Sequence, residues 1–193
     1  MRFQVPEDGM LLPNGQRINP ARLTYGVLWD RDSQGTSVTA GTYNFLVRAN
    51  ALTQLDTNMN IAGKIPRGYF IIERIGVYLS SATSTPVTAS DAALYIESTI
   101  LAVKKNNQEL WRCPTFMSQG GWGVSGNTTA NNTAVVTNGV PSTGLAQGLN
   151  FPIVILDADS VGIDIIVPAT FTLGAATYVW VVAEGSQESV LAG

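Results

Sequence analysis

Short runs of β-branched and aromatic residues recur along this chain, each bounded by Gly, Pro, Asn or Asp, and no segment carries a helical hydrophobic period long enough to build a layer. TYGVLW (24–29) sets Tyr25, Val27 and Trp29 on one face, and TYNFLVRA (42–49) does the same for Tyr43, Phe45 and Val47. GYFIIERIGVYL (68–79) reads as a long strand. Its apolar face is Tyr69, Ile71, Ile75, Val77 and Leu79, interrupted by Glu73, and Gly76 marks a bend or bulge. AALYIESTILAV (92–103) is a further strand, followed by the turn Lys105-Asn106-Asn107 and QELWR (108–112), which together read as a hairpin. A short strand TAVVT (133–137) precedes three strong ones, FPIVIL (151–156), VGIDIIV (161–167) and TYVWVV (177–182). In VGIDIIV, Val161, Ile163, Ile165 and Val167 alternate with Gly162 and Asp164, the pattern of a half-buried strand. Helical signals are confined to two turns at NALTQLD (50–56) and one at TASDAAL (88–94), capped by Ser90 or Asp91. Eight or nine strands spaced by turn-rich loops predict an all-β sandwich or jelly roll.

A chain of 193 residues suits one such domain with a single core. The expected division is an extended N-terminal arm (1–23) punctuated by Pro6, Pro13 and Pro20, a β domain (24–185) and a loosely held tail (186–193). The arm lies on its own domain, or on a neighbour, or is a locally ordered terminus; the sequence leaves these open. Between Pro114 and Gly148 runs a long loop dense in Gly, Ser, Thr and Asn, including SQGGWG (118–123) and SGNTTANNT (125–133). Such a composition cannot bury its backbone and is expected on the surface. MRFQVPEDGM has no apolar run after its Arg, and FPIVIL is too short to span a bilayer, so a soluble protein made inside a cell is expected.

Charged residues make up only 13%, about half the usual share. Asn, Gln, Ser and Thr must cover the surface instead, or other chains must. The net charge is −3, the three Lys and eight Arg are scattered, and Lys104-Lys105 is the only adjacent basic pair. Direct nucleic-acid binding is therefore not expected. The chain has no histidine, which removes Ser-His-Asp and Cys-His catalysis, His metal ligands and His pH switching together. The single Cys113 excludes an internal disulfide and, beside Trp111, reads as a small buried apolar residue.

Asp157-Ala158-Asp159 joins two strong strands, and a D-x-D pair suggests Ca²⁺. The EF-hand spacing fails, because its twelfth position is Pro168, and a turn using Asp side chains explains the same residues more simply. Asp30-Arg31-Asp32 reads as a solvated turn at a strand end, and Glu73-Arg74 as an edge or interface pair. SQGGWG lacks a phosphate-loop pattern. Its Trp122 serves as a loop anchor or, in the alternative, stacks on a sugar. Asn127-Thr128-Thr129 and Asn131-Asn132-Thr133 match the glycosylation sequon without a secretion signal to give it meaning. A glycosidase needs two carboxylates at a set separation, and Asp157, Asp159 and Asp164 crowd one turn. The expectation is thus a protein that is no enzyme, with no catalytic, cofactor-binding or metal-binding residue.

Three segments across residues 60–185 carry a resemblance. PRGYFIIERIGVYL is a strand entered from a Pro-Arg-Gly turn. LAVKKNNQELWRCPTFMSQGGWG is a strand, polar hairpin, short strand with a Trp anchor, then Pro and a Gly-rich loop. FPIVILDADSVGIDIIV is a Pro-containing strand turning into another. Together they resemble the single jelly-roll capsid proteins of tailless, membrane-containing icosahedral bacteriophages. The resemblance implies a single jelly-roll β-sandwich that self-assembles into a shell, commonly with a second capsid protein, around a lipid membrane and the DNA, in the virion. It carries over interfaces and no functional residues. The alternative is a carbohydrate-binding jelly roll, a phage receptor-binding or spike domain, presenting Trp122, Trp111 or Tyr side chains.

Overall fold

The computed structural model describes residues 10–11, 15, 17–19, 22–47, 53, 55–65, 68–84, 87–118, 123–127, 134–137 and 152–188. Eight strands form two four-stranded antiparallel sheets: β1 (Leu23–Gln34), β2 (Gly41–Phe45), β3 (Tyr69–Ser81), β4 (Ile100–Lys105), β5 (Gln108–Pro114), β6 (Ile153–Leu156), β7 (Val161–Val167) and β8 (Thr177–Glu188). One sheet has the order β6-β3-β8-β1 and the other β2-β7-β4-β5. The pairings are nested: β1 with β8, β2 with β7, β3 with β6 and β4 with β5. The protein is an all-β sandwich.

The sheets close on one core. Leu28, Val77, Val179 and Val181 from the first sheet meet Phe45, Leu101, Ile163 and Ile165 from the second. VGIDIIV behaves as its alternation predicts, with Val161, Ile163, Ile165 and Val167 all buried. The β4–β5 hairpin turns through Asn106 and Asn107, both left-handed (φ 51° and 63°), a conformation Asn tolerates and two-residue hairpins require.

Several segments depart from the sequence-based expectation. Residues 92–97 are helical, within α1 (Ala89–Glu97), and the strand begins only at Ile100. The cap is Thr88, whose side chain accepts from the Asp91 N–H at 3.2 Å; neither Ser90 nor Asp91 caps it. Ala92, Tyr95 and Ile96 share the buried side, and Tyr95 meets Phe171 edge-on at 5.7 Å. β2 stops at Phe45, because the next residue, Leu46, turns left-handed (φ 65°), and this leaves Val47 exposed. β1 continues five residues past Trp29, so Asp30-Arg31-Asp32 is strand, not turn, held by continuous pairing with β8. Asp30 is 1% exposed and accepts from the Leu46 N–H at 2.7 Å, which satisfies one carboxylate oxygen inside the sandwich. β8 runs through Glu188, so Ser186–Glu188 belong to the sheet and not to a tail. Of the loop between Pro114 and Gly148, the described part includes a 3-10 turn at Thr115–Met117 and a hairpin pairing Gly123–Asn127 with Ala134–Thr137. The described part of 50–56 forms a single turn, with Asp56 N–H donating to the Thr53 carbonyl.

The long strand β3 is interior, flanked by β6 and β8, so Glu73-Arg74 is not an edge pair. Opposite Glu184 and Gly185 its register slips, with Glu73 as the extra residue. The bulge lies there and not at Gly76, and it splits the expected apolar face. Phe70 and Ile72 join Ile75, Val77 and Leu79 in the main core, while Tyr69 and Ile71 turn outward. Ile18 covers them, fully buried on a second cluster with Leu156. Its segment, Arg17–Ile18, pairs antiparallel with Met10–Leu11. The described part of the N-terminal arm is thus a small ribbon lying on its own domain, and burying Ile18 contributes about 2 kcal/mol.

Candidate functional site

The outer faces of the two sheets differ in chemistry. Residues directly opposite across β3, β8 and β1 point to the same side, in rows Tyr78–Trp180–Arg31, Gly76–Val182–Trp29 and Arg74–Glu184–Val27. This side faces away from the core, so TYGVLW turns Tyr25, Val27 and Trp29 outward while Leu28 and Asp30 point in. Gly76 contributes no side chain to the middle row. The result is a mostly apolar groove of about 450 Å³ walled by Tyr25, Val27, Trp29, Tyr78, Trp180 and Val182, with Glu184 also lining it. Tyr25 is 61% exposed.

Both ends of the groove are pinned by polar contacts. Arg31 lies 4.3 Å from the ring centre of Tyr178 and 5.1 Å from that of Trp180, a cation–π clamp, and Trp180 Nε1 donates to Ser80 Oγ at 2.7 Å. Arg74 meets Glu184 at 3.5 Å, and Ser186 Oγ donates to Glu73 Oε1 at 2.6 Å. Trp180 is thereby held between Arg31 and Ser80 before anything binds.

The other sheet's outer side mixes charged and polar residues with Ala102, Ile100 and Ile166. Asn44, Asp164, Ala102 and Arg112 are opposite one another across β2, β7, β4 and β5. Asp164, only 3% exposed, is ion-paired with Lys104, and Arg112 makes a two-pronged contact with Glu109 at 2.8 and 2.6 Å.

The free side of β1 is capped along its middle by residues 56–58. Asn58 accepts from the Trp29 N–H at 2.8 Å and donates to the Val27 carbonyl at 2.6 Å; Thr57 Oγ1 donates to the Trp29 carbonyl, and the Arg31 N–H donates to the Asp56 carbonyl. A strand whose edge is occupied this way cannot template edge-to-edge pairing there. Asp56 anchors the cap, accepting from the Thr53 backbone and hydroxyl at 2.9 and 2.7 Å and from Arg31 Nε at 2.7 Å. Bonding to Thr53 first, then to Arg31, holds its carboxyl down to about 2. A lowered folded-state pKa gives stability that is present above the unfolded value of about 4 and lost as pH falls through about 2. Asp56→Asn removes that titration. Its unfolding free energy relative to wild type, measured by chemical melts, is expected to converge as pH drops from about 5 toward 2; a gap constant over that range would refute the anchoring role.

The residues singled out in the sequence for chemistry fall into structural roles. Asp159 accepts from the Leu156 N–H at 2.9 Å, Asn106 Nδ2 at 2.8 Å and Lys105 Nζ at 2.7 Å. It staples the β6–β7 turn to the β4–β5 turn. Burial acts to raise its pKa, but these donors outweigh it and hold the carboxyl below the usual range. Asp157 is exposed and accepts from the Ala158 N–H at 2.8 Å. Asp157 makes a local turn bond, while Asp159 combines one with contacts to the β4–β5 turn far away in sequence. Cys113 is half-buried, its thiol donates to the Pro114 carbonyl, and burial pushes it up to about 11, which keeps it protonated. Trp111 packs one side on the core and, partly exposed, lines a pocket of about 560 Å³ with Lys105, Asn106, Gln108, Leu110 and Pro152. Trp122 and both sequon acceptor triplets as whole units lie outside the described residues.

The groove was not singled out in the sequence, although its β1 wall was grouped correctly as one strand face. Comparison of the chain with protein-family models, with curated proteins and with solved structures found no match.

Proposed function

We propose that the sandwich is a single jelly roll and that the protein is a structural subunit of a phage capsid, self-assembling with a second capsid protein into an icosahedral shell around a lipid membrane. The observation that carries the reading is the nested pairing of first strand with last, second with seventh, third with sixth and fourth with fifth. A chain doubled into one long antiparallel ribbon and rolled up produces this order, which is the winding of a jelly roll. The capped β1 edge supports it too, because a subunit packed at high local concentration must suppress random strand pairing. So does the contrast between an aromatic outer face and one that carries ion-paired Asp164 and Arg112, which gives neighbours two distinguishable sides. On this reading the protein turns over no substrate, binds no cofactor and makes no direct contact with the genome, and its home is the virion.

The purified full chain is expected to form larger species as concentration rises in analytical ultracentrifugation. In lysates of phage-producing cells, antibody to the chain is expected to label icosahedral particles under the electron microscope. Particles that lack the chain would overturn the proposal.

A further inference from the structure

We propose that neighbouring copies join head to tail, with Phe116 and Met117 of one copy seated in the aromatic groove of the next. The inference rests on the self-assembly reading and adds to it a contact with named sides.

The knob is the 3-10 turn Thr115–Met117 at the end of β5, on the sheet that does not carry the groove. Phe116 and Met117 are 52% and 51% exposed, two adjacent large apolar side chains in water. The turn beneath them is rigid. Thr115 is fully buried, its N–H donates to the Thr99 carbonyl at 3.0 Å, and its hydroxyl meets Thr99 Oγ1 at 2.8 Å. Ser118 Oγ donates back to the Thr115 carbonyl at 2.8 Å. A projecting side chain on a fixed turn loses little freedom on docking.

The groove matches in chemistry and size. Its walls are almost wholly apolar, and about 450 Å³ accommodates an aromatic side chain together with a thioether. A sugar fits less well. Arg31 already covers ring faces of Tyr178 and Trp180, and Glu184, the charged residue that lines the groove, is paired with Arg74. Another strand cannot add at the middle of β1, where residues 56–58 hold the edge. Knob and groove belong to different sheets, so one copy can offer its knob to one neighbour and its groove to another, a heterologous arrangement. Such contacts close into rings or extend indefinitely, and they do not stop at a two-fold dimer. A shell built from rings requires this kind of contact.

The test uses two full-length variants that each lose one side: Phe116→Ser with Met117→Ser, and Val27→Arg, which projects a charged chain over the groove. Tyr25→Arg serves in place of the latter should Val27→Arg fail to fold by circular dichroism. Wild type is expected to form rings or larger assemblies by ultracentrifugation, while each variant alone needs about tenfold or more higher concentration. An equimolar mixture of the two is expected to form a discrete heterodimer, since only the knob of one and the groove of the other remain. Either variant assembling like wild type, or a mixture that stays monomeric, would overturn the head-to-tail contact while leaving the capsid reading standing if wild type still builds particles. Wild type that stays monomeric at every concentration would overturn both. Glycan-array binding that is lost in Val27→Arg would assign the groove to a sugar and sink the contact.

Discussion

Gly185→Ala is expected to destabilise the protein by about 3 kcal/mol or more in a denaturant melt, and to reduce its folded yield. A Cβ at residue 185 would sit 1.8 Å from the Ile71 carbonyl oxygen and 3.1 Å from the Glu73 N–H. Both are backbone atoms of β3 at its bulge, so neither can swing aside as a side chain does. Relief requires the two central strands of the first sheet to move apart, and β8 pairs with β3 on one side and β1 on the other. The comparison is Gly26→Ala on the facing strand. There a Cβ would also come close, at 2.7 Å, but the atoms it meets belong to the Gln187 side chain, which can change rotamer. That variant is expected within about 1 kcal/mol of wild type. If the two variants melt alike, the bulge does not have the geometry described.

The same bulge shows what could and could not be read in the chain. The sequence shows GYFIIERIGVYL as one long strand, and so it is. It could not show that Tyr69 and Ile71 leave the face of Ile75, Val77 and Leu79, because the glycine that permits the slip, Gly185, is more than a hundred residues away. AALYIESTILAV misled for a different reason. Tyr and Ile favour strands on average, but Thr88 caps the chain three residues before Asp91, and a helix then places Tyr95 and Ile96 in the core. Asp30 looked solvated because a carboxylate inside a sandwich needs a donor, and its donor is the N–H of Leu46, a non-glycine residue in a left-handed conformation. The groove was half legible. Alternation groups Tyr25, Val27 and Trp29 on one face, but it cannot say which face meets the core when both carry apolar residues. Here Leu28 points in and the larger side chains point out. Asp159 was readable as a turn residue, while its partners on the β4–β5 turn were not, since they are brought near only by the pairing of β4 with β7.

Ile165→Asp is expected to unfold the protein or cost about 4 kcal/mol, whereas Ile166→Asp on the same strand is expected to cost about 1 kcal/mol. Ile165 is fully buried, lies opposite Tyr43 and Leu101 in the ladder, and faces the core shared by both sheets. A carboxylate there would have no cation and no spare donor, because the ladder already uses the neighbouring N–H groups. Ile166 points to the outer side of its sheet, half-buried between Thr42 and Ile100. Its neighbour on that face is Asp164, a nearly buried carboxylate that the protein tolerates because Lys104 is ion-paired with it. The pair of variants therefore tests the register of β7 directly. A slip of one residue would exchange the two faces and with them the two results, since side chains alternate strictly along a strand. The sandwich then brings its charge-bearing side and its aromatic side into opposition only if Ile165 is the intolerant position, and on that opposition depends the distinction between the two outer faces of the subunit.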